Sequence, residues 1–296
     1  MQDVVQKATS MANLKSICQH NGPNKHQYKI LDDLIDGLHG DTETFKAITK
    51  EIRDCSFLTE TTSLIGHVLN KPYGYAGDFE IIDRLYTNDV SSDYYAWDKY
   101  ILNTNAVKAV QNRKTYFKKL VLNKVRKGKT FGLLNIASGP ARDLKEVYDL
   151  LYDTDQLRTT CIDLDANAIK YAKRVNQGYN HNIEFVNRNV LRYSTDSTHD
   201  LVWSAGLFDY FDDKAFLMML NRMKGWVAED GEIVVGNFNS DHNPTRPVME
   251  VLGEWHLNHR TEDELINLAL NAGFDRQQIS VGREPENINL FLHIQL

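Results

Sequence analysis

The sequence has little of what marks a secreted or membrane-bound protein. Its three cysteines, Cys18, Cys55 and Cys161, have neither a paired nor a metal-ligand spacing, which argues against a disulfide framework and a zinc site. No apolar run approaches the roughly 20 residues of a membrane-spanning helix. The first residues lack the basic and apolar segments of a secretory signal. We therefore expect a protein of the reducing cytoplasm with no membrane span and no bound metal.

The chain also lacks the positive charge of a protein whose main partner is a nucleic acid. Its formal net charge is −6 at pH 7 and its pI is about 5.9. One region differs from the rest, because residues 99–142 contain eleven basic residues and no acidic residue. A solvated helix face, an acidic partner and a nucleic-acid backbone would each suit this stretch. Few aromatic residues are interleaved in it, so we expect no nucleic-acid partner.

What the sequence does contain is a unit built to hold a nucleoside, within residues 130–165. The mostly apolar residues 133–136 predict a buried strand, and the turn that follows is too poor in side chains to shield its backbone N–H groups. Asp143 is expected to cap the next helix. About twenty residues after a turn of this kind, a carboxylate at the end of the next strand, here Asp163, can accept hydrogen bonds from both hydroxyls of a ribose.

The turn departs from the three-glycine GxGxxG pattern with which dinucleotide cofactors are bound. It contains Ala137, Gly139 and Ala141, and Pro140 removes one N–H. The turn resembles, with two alanines in place of glycines, the GxGxG turn of class I S-adenosylmethionine (SAM) methyltransferases, whose cofactor has no phosphate to cradle. That family usually carries an acid where Asn135 stands. An ordinary strand-to-helix turn is the alternative that these residues alone leave open.

The segments downstream are similar to the same family in their order. The resemblance implies that Asp163 binds the ribose, that Asn189 and Val190 flank the adenine, and that the turn after the fourth strand lies near the methionine part of SAM. It also implies a Rossmann-like α/β fold with a seven-stranded, mostly parallel sheet, whose last strands are expected at residues 279–281 and 289–294. The SAM-binding residues predicted for this part of the chain are Arg113, Ala137, Ser138, Gly139, Pro140, Asp163, Leu164, Asn189, Val190, Ser204, Ala205 and Gly206.

The N-terminal part of the chain has a different pattern, with helices alone. Apolar residues at helical spacing predict helices over residues 31–38, 45–52 and 64–69. The sequence therefore predicts an all-helical N-terminal domain over residues 1–128, followed by a SAM-binding domain over residues 129–296.

A loop of the N-terminal domain, residues 71–86, concentrates glycines, tyrosines and an acid, which predicts either a lid over a ligand or a plug for the domain junction. The Gly-Tyr-Ala-Gly-Asp sequence from Gly74 to Asp78 and the later segment 242–274 are similar to bacterial 3-hydroxypalmitic acid methyl ester synthases. That resemblance implies carboxyl O-methylation of a 3-hydroxy fatty acid, and it makes an acidic acyl carrier protein a suitable partner for the basic stretch. The loop adds Tyr73, Tyr75, Gly77 and Asp78 to the predicted SAM-binding residues.

The catalytic residues are predicted from the chemistry of methyl transfer. A carboxylate acceptor is already ionised near pH 7, whereas a hydroxyl or an amine needs a nearby base. Asp209 and Tyr210 follow the fourth strand, where the acceptor lies in the family; Asp209 is a base, an orienting acceptor or only the N-cap of the next helix. Arg246 or Arg260 would be the counter-charge of a carboxylate acceptor, unless each is an ordinary surface or ion-paired arginine. Arg113 is expected to reach the carboxylate of the cofactor, unless it belongs to a solvated helix face.

Three functions stay open at this point. The leading hypothesis is a SAM-dependent methyltransferase that acts on a small acid such as a 3-hydroxy fatty acid. O- or N-methylation of another secondary metabolite is the alternative among enzymes. A non-catalytic SAM-binding regulatory protein is the alternative outside them. The expected partners are a small-molecule acceptor, an acyl carrier protein and, in a homodimer, a second copy of the chain.

Overall fold

The structure of the protein is a computed structural model. Two sequence predictions lie outside the part of the chain that the structure describes. They are the helix over residues 45–52 and Leu38 at the end of the helix before it. The described part comprises residues 16–17, 22–37, 39, 55–125 and 129–296.

Two compact units make up the described chain. The first comprises the described residues up to Lys108 together with Pro244–His256. The second comprises the described residues of Ala109–Asn243 and Leu257–Leu296. The units therefore divide the chain at other residues than the boundary expected after residue 128.

Helices form the first unit and flank the sheet of the second. In the first unit, the Asp78 side chain accepts the backbone N–H groups of Glu80 and Ile81 and so fixes where one helix begins. Trp97 stacks on Phe57 in the core, with ring centroids 3.7 Å apart. No helix of the described chain combines the length and apolar character needed to cross a bilayer. The helices are α1 (Tyr28–Asp36), α2 (Ser56–Thr59), α3 (Leu64–Asn70), α4 (Phe79–Thr87), α5 (Tyr95–Asn103), α6 (Asn105–Lys124), α7 (Arg142–Leu150), α8 (Ala166–Val175), α9 (Asp213–Met223), α10 (Arg246–Gly253) and α11 (Glu262–Asn271).

The described residues of the second unit form a seven-stranded sheet, which confirms the predicted Rossmann-like α/β architecture. The strand order is β3-β2-β1-β4-β5-β7-β6, and β7 is antiparallel to both of its neighbours, β5 and β6. The other pairs are parallel, and the order reverses between β1 and β4. The strands are β1 (Phe131–Ile136), β2 (Leu157–Asp163), β3 (Ile183–Asn187), β4 (His199–Ser204), β5 (Val227–Phe238), β6 (Ile279–Arg283) and β7 (Asn289–Gln295).

Helices cover both faces of this sheet. Because side chains alternate along a strand, Leu133 and Leu134 of β1 lie in different hydrophobic cores. Leu133 packs in the core that contains Phe117 of α6, and Leu134 packs in the core that contains Phe216 of α9 and Leu265 of α11. Each of these fully buried side chains contributes about 1.5–3 kcal/mol. The burial of Phe117 explains why most of α6 belongs with the sheet and not with the helices that precede it.

Candidate active site

The carboxyl ends of β1 and β4 form the place where ligands bind in sheets of this kind. These two strands are hydrogen-bonded neighbours, but they are separated in the chain by β2 and β3, which lie on the far side of β1. The connections that leave β1 and β4 therefore run to opposite sides and open a crevice at the sheet edge. The turn after β1, the end of β2 and the turn after β4 all border this edge.

The turn after β1 has an unusual backbone. Ala137, Gly139 and Ala141 have φ angles of 52°, 52° and 48°, in the left-handed region that a Cβ atom disfavours. These are the three positions that resemble GxGxG, so their small side chains follow from the conformation of the turn. Ala141 occupies the N-cap position of α7 and no side chain caps that helix. The expectation that Asp143 caps it is therefore wrong, because Asp143 lies inside the first turn and accepts the N–H of Leu144 at 2.9 Å.

Asp163, at the end of β2, joins the second strand to this turn. Its Oδ2 accepts the backbone N–H of Gly139 at 2.9 Å, and its Oδ1 accepts the N–H of Asp165 at 2.9 Å. Burial raises the pKa of Asp163, while the backbone N–H groups of Asp165, Gly139 and Leu164 oppose that rise. The two oxygens of a carboxylate together have about four acceptor sites. The Asp163 carboxylate therefore retains acceptor capacity for a ligand hydroxyl.

Open space and an exposed apolar side chain lie beside the turn. A Cβ atom built on Gly139 would meet no other atom within 4 Å. Leu164 follows Asp163 with 69% of its surface exposed, although it is a large apolar residue. An adenosine needs both features, because it requires room beside the backbone and an apolar surface for its ring. The residues present are thus compatible with the nucleoside part of SAM.

The next strand places the residues expected to flank the adenine. Asn189 uses its Oδ1 to accept the N–H of Leu191 at 2.9 Å and so begins the 3-10 helix Val190–Arg192. The side chain of Val190 is buried in the core that also contains Leu134. Contact of Asn189 and Val190 with an adenine stays a prediction.

The end of β4 is tied to β1 and to α6. Ser204 Oγ donates to the carbonyl oxygen of Ile136 at 3.2 Å. Arg113 of α6 is buried and its Nη1 donates to the carbonyl oxygen of Ala205 at 3.2 Å. A Cβ atom on Gly206 would lie only 3.1 Å from Nη1, so the guanidinium packs closely against this glycine. The structure therefore places Arg113 against the turn that was expected near the methionine part of SAM.

Two buried carboxyl groups lie in the electrostatic field of this arginine. Burial raises the pKa of Asp143 to about 6 and that of Asp209 to about 7, and the Arg113 charge opposes both shifts. Asp209 Oδ1 accepts the backbone N–H of Phe238 at 2.7 Å. Asp209 is not the N-cap of α9, because Asp212 accepts the N–H that caps that helix.

Tyr210 and Asp209 belong to the 3-10 helix Phe208–Tyr210 that follows β4. Tyr210 has 42% of its surface exposed, in contrast to the buried Asp209. These two expected catalytic residues therefore differ in access to solvent, although they are neighbours in the chain.

Arg260, also expected at the acceptor, has a structural environment. Its Nε and Nη2 donate to Asp213 Oδ1 at 3.1 and 2.9 Å, and Nη2 also donates to the Phe211 carbonyl oxygen at 2.6 Å. Its Nη1 donates to Asn237 Oδ1 at 2.9 Å and to the Phe208 carbonyl oxygen at 3.3 Å. A guanidinium has five N–H groups. Those of Arg260 are all directed to acceptors of the protein itself.

Arg246 lies in the first unit, on α10. Its Nε donates to Glu250 Oε1 at 2.6 Å, one helical turn away. The other oxygen of Glu250 is 2.8 Å from His39 Nε2. The structure therefore gives Arg246 the ion-paired environment that the sequence left open as its alternative.

The loop with the Gly-Tyr-Ala-Gly-Asp sequence also belongs to the first unit. Asp78 is fully buried, and besides capping α4 it has its Oδ2 at 2.8 Å from His67 Nε2. The Tyr73 hydroxyl donates to Glu80 Oε2 at 2.7 Å. The Asp78 carboxylate thus serves the fold of its own unit, and a cofactor contact of Tyr73, Tyr75, Gly77 or Asp78 stays a prediction.

The basic stretch of residues 99–142 has acidic neighbours that its own sequence does not contain. Four of its lysines pair with carboxylates on α7, β4 and β5. A linear reading of the sequence misses these acids, because each lies 28 or more residues away along the chain. The pairing weakens the charge argument for an acidic partner. The ion pairs join Lys114 and Lys118 to Glu146, Lys124 to Glu232, and Lys129 to Asp200.

The part of the chain that carries this crevice is similar to a known family. Residues 133–231 match a family model described as a methyltransferase domain. The matched segment begins in β1 and ends within β5, so it includes the turn, Asp163 and the end of β4. The chain therefore contains a methyltransferase domain.

Solved structures share the fold of this methyltransferase at low sequence identity. A Bordetella parapertussis protein described as a possible exported protein has a TM-score of 0.64 and 17% identity, covering 79% of this chain and 86% of its own. The SAM-dependent methyltransferase SibL has a TM-score of 0.54 and 14% identity, with coverage of 90% and 77%. The CurJ carbon methyltransferase has a TM-score of 0.53 and 12% identity, with coverage of 86% and 70%. No curated protein matches the sequence.

Proposed function

We propose that the methyltransferase holds SAM at the carboxyl ends of β1, β2 and β4 and transfers its methyl group to a small molecule. The observation that carries this proposal is the turn after β1. Three of its residues have left-handed backbones, and Gly139, with open space beside it, donates its N–H to Asp163, whose carboxylate retains acceptor capacity. This combination lies at the point where the strand order reverses, which is the usual ligand position in such sheets.

The residues of the chain bind and orient the cofactor in this proposal. SAM supplies a methyl group that is already activated by its attachment to a sulfonium. Asp163 accepts the ribose hydroxyls, and Arg113 pairs with the carboxylate of the methionine part. The other cofactor contacts are Leu164, Asn189 and Val190 beside the adenine, and Ala137, Ser138, Gly139, Pro140, Ser204, Ala205 and Gly206 beside the rest of the molecule.

A hydroxyl or an amine is the acceptor group that the polar residues support best. Of the two arginines considered as counter-charges for a carboxylate, Arg260 has its whole guanidinium directed to acceptors of the protein, and Arg246 is paired with Glu250 through its Nε. Asp209 is a buried carboxyl with a pKa raised to about 7 by its burial, which suits a general base near neutral pH. In this proposal Asp209 takes the proton of the acceptor, and Tyr210 orients the acceptor beside it.

Carboxyl O-methylation of a 3-hydroxy fatty acid is the alternative, and it rests on the resemblance of the Gly-Tyr-Ala-Gly-Asp loop. Such an acceptor needs a cation to hold its carboxylate but no base. That the loop containing Tyr73 and Tyr75, within the helical residues 1–128, acts as a lid stays a prediction. An acyl carrier protein, a homodimer and a cytoplasmic location stay predictions.

Transfer of labelled methyl from SAM tests the proposal directly. The purified protein is incubated with labelled SAM and a cell extract, and the label is then separated into lipid and polar products. Label in a polar ether or amine supports the proposed acceptor, and label in a base-labile lipid ester supports the fatty acid. Binding of S-adenosylhomocysteine (SAH) without any transfer would indicate a regulatory SAM-binding protein instead.

The pH dependence of the rate then tests the role of Asp209. A base must be ionised, so the active fraction rises with pH, and we expect kcat/KM to increase between pH 6 and 8 with a midpoint near the Asp209 pKa of about 7. Asp209→Asn should lower the rate about a hundredfold or more and abolish this rise. Asp212→Asn is the control, because asparagine also caps a helix. A rate that is flat over this pH range would favour a carboxylate acceptor.

A further inference from the structure

Asn176 lies where α8 ends, and its side chain is fully buried. Its Nδ2 donates to the carbonyl oxygen of Ala141 at 3.1 Å and to that of Ala172 at 3.0 Å. Ala141 is the residue with which the turn after β1 ends, and it has a φ of 48°. One amide group therefore connects the end of α8 to the last left-handed residue of the turn.

The other side of this amide is poorly satisfied. Asn176 Oδ1 is buried and has no hydrogen-bond partner within the part of the chain that the structure describes. Leaving a buried acceptor without a partner is unfavourable. The two carbonyl oxygens on the opposite side fix the orientation of the amide, because only its NH2 group can donate to them. The NH2 group of Asn176 therefore contributes hydrogen bonds to the fold, and the burial of its Oδ1 is the cost.

The turn is consequently held by two side chains that flank α8. Asp163, which precedes α8, accepts the N–H of Gly139 in the middle of the turn. Asn176, which ends α8, donates to the carbonyl oxygen of Ala141 at the end of the turn. Between these two contacts the backbone passes through the residues that the proposed cofactor would meet.

We propose that Asn176 is a positioning residue for cofactor binding, which keeps Ala141 in the left-handed conformation and thereby keeps the turn in the shape that receives SAM. Without this donor, Ala141 relaxes toward a conformation that its Cβ atom prefers. The inference rests on the proposed SAM site at this turn, and it extends that site to a residue with no cofactor contact of its own.

Titration calorimetry with SAH tests the inference. We expect Asn176→Ala to weaken SAH binding about five- to tenfold, which corresponds to one lost hydrogen bond in the bound conformation. Adding Ala141→Gly to this variant should restore the affinity to within about threefold of wild type, because glycine adopts the left-handed region without a Cβ clash. Asn180→Ala is the control. Asn180 is exposed and donates to the Lys173 carbonyl oxygen at 3.2 Å near the same helix end.

The outcomes separate this inference from the proposed function. If Asn176→Ala does not fold, Asn176→Leu replaces it, because leucine has nearly the shape of asparagine and lacks the donor without adding a charge. Unchanged SAH affinity in the folded variant overturns the inference. A weakening that Ala141→Gly does not restore also overturns it, since that result indicates a general loosening of α8. A wild-type protein that binds no SAH removes the proposed site itself, and the inference with it.

Discussion

The two polar centres of the methyltransferase unit differ in how much of their hydrogen-bonding capacity the protein uses. At the cofactor turn, each oxygen of Asp163 accepts one backbone N–H, and the carboxylate retains acceptor capacity. At the centre around Arg260, the donors are directed to Asp213, Asn237 and the carbonyl oxygens of Phe208 and Phe211. The first centre has capacity left for a ligand, and the second has none in its guanidinium.

This difference explains why charge alone was a poor guide to function. Both centres contain a charged residue at the edge of the sheet, and the sequence predicts a functional role for both. Saturated polar groups stabilise the fold, whereas groups with unused acceptors next to open space can bind a ligand. Substitutions at the two centres should therefore affect different measurements.

The largest expected effect is on stability, at the Arg260 centre. Arg260→Ala should lower the free energy of unfolding by about 3–5 kcal/mol, because it leaves buried acceptors unpaired. Urea denaturation measures the change. Arg246→Ala, whose side chain is 42% exposed in its ion pair, should change stability by about 1 kcal/mol or less. Equal effects of the two substitutions would contradict the structural role of Arg260.

The next effect is on cofactor binding, at Gly139. Gly139→Leu places a side chain in the open space beside the turn and should weaken SAH binding at least about a hundredfold, or ~3 kcal/mol. Calorimetry measures the affinity, and circular dichroism verifies the fold. Gly178→Leu is the matched control, since a Cβ atom there also meets nothing within 4 Å. Normal SAH binding by Gly139→Leu would show that the open space is not the cofactor site.

Asp163→Ala should weaken SAH binding by about tenfold or more, because it removes the acceptors of both ribose hydroxyls. Asp165→Ala provides the comparison. Asp165 accepts the N–H of Asn167 and caps α8, so its loss should cost about 1 kcal/mol of stability and leave SAH affinity close to wild type. The same calorimetric titration distinguishes the two. A larger binding defect in Asp165→Ala would reverse the assignment of the two carboxylates.

The smallest expected effect is a gain. Ala137 is exposed and has a φ of 52°, so Ala137→Gly should raise the free energy of unfolding by about 0.5 kcal/mol once the greater freedom of glycine in the unfolded chain is included. Ala141→Gly should be close to neutral, because its methyl group is buried and its loss offsets the relief. Thermal unfolding of both variants tests this. A loss of stability in Ala137→Gly would mean that its left-handed backbone is not strained.

Local sequence is enough to predict the parts of the site that lie on one βα segment. The strand over β1, the turn at Ala137 to Ala141 and the carboxylate of Asp163 follow one another within a short stretch. The same reasoning predicts the last two strands at nearly their observed bounds. These features depend on hydrophobic pattern and turn chemistry, which neighbouring residues determine.

Pairing between distant segments could not be predicted in this way. Arg260 donates to the carbonyl oxygen of Phe208, which lies 52 positions earlier in the chain. Neither segment contains a sequence signal that predicts this contact. Asp143 was expected to cap α7, but Ala141, with a left-handed backbone, occupies the N-cap position. Asn176 had no signal at all, because a single asparagine at a helix end is common and its partner lies 35 residues away.

The return of the chain to the first unit at Pro244–His256 limits how the protein can be dissected. A single cut cannot separate the two units, because α10 would remain attached to the catalytic half and lose the partners of its buried face. A fragment that begins at residue 129 would also lack α6 and expose the sheet surface on which Phe117 and Val121 pack. An independently expressed catalytic half needs α6 at its start and a short designed linker that joins Asn243 to Leu257.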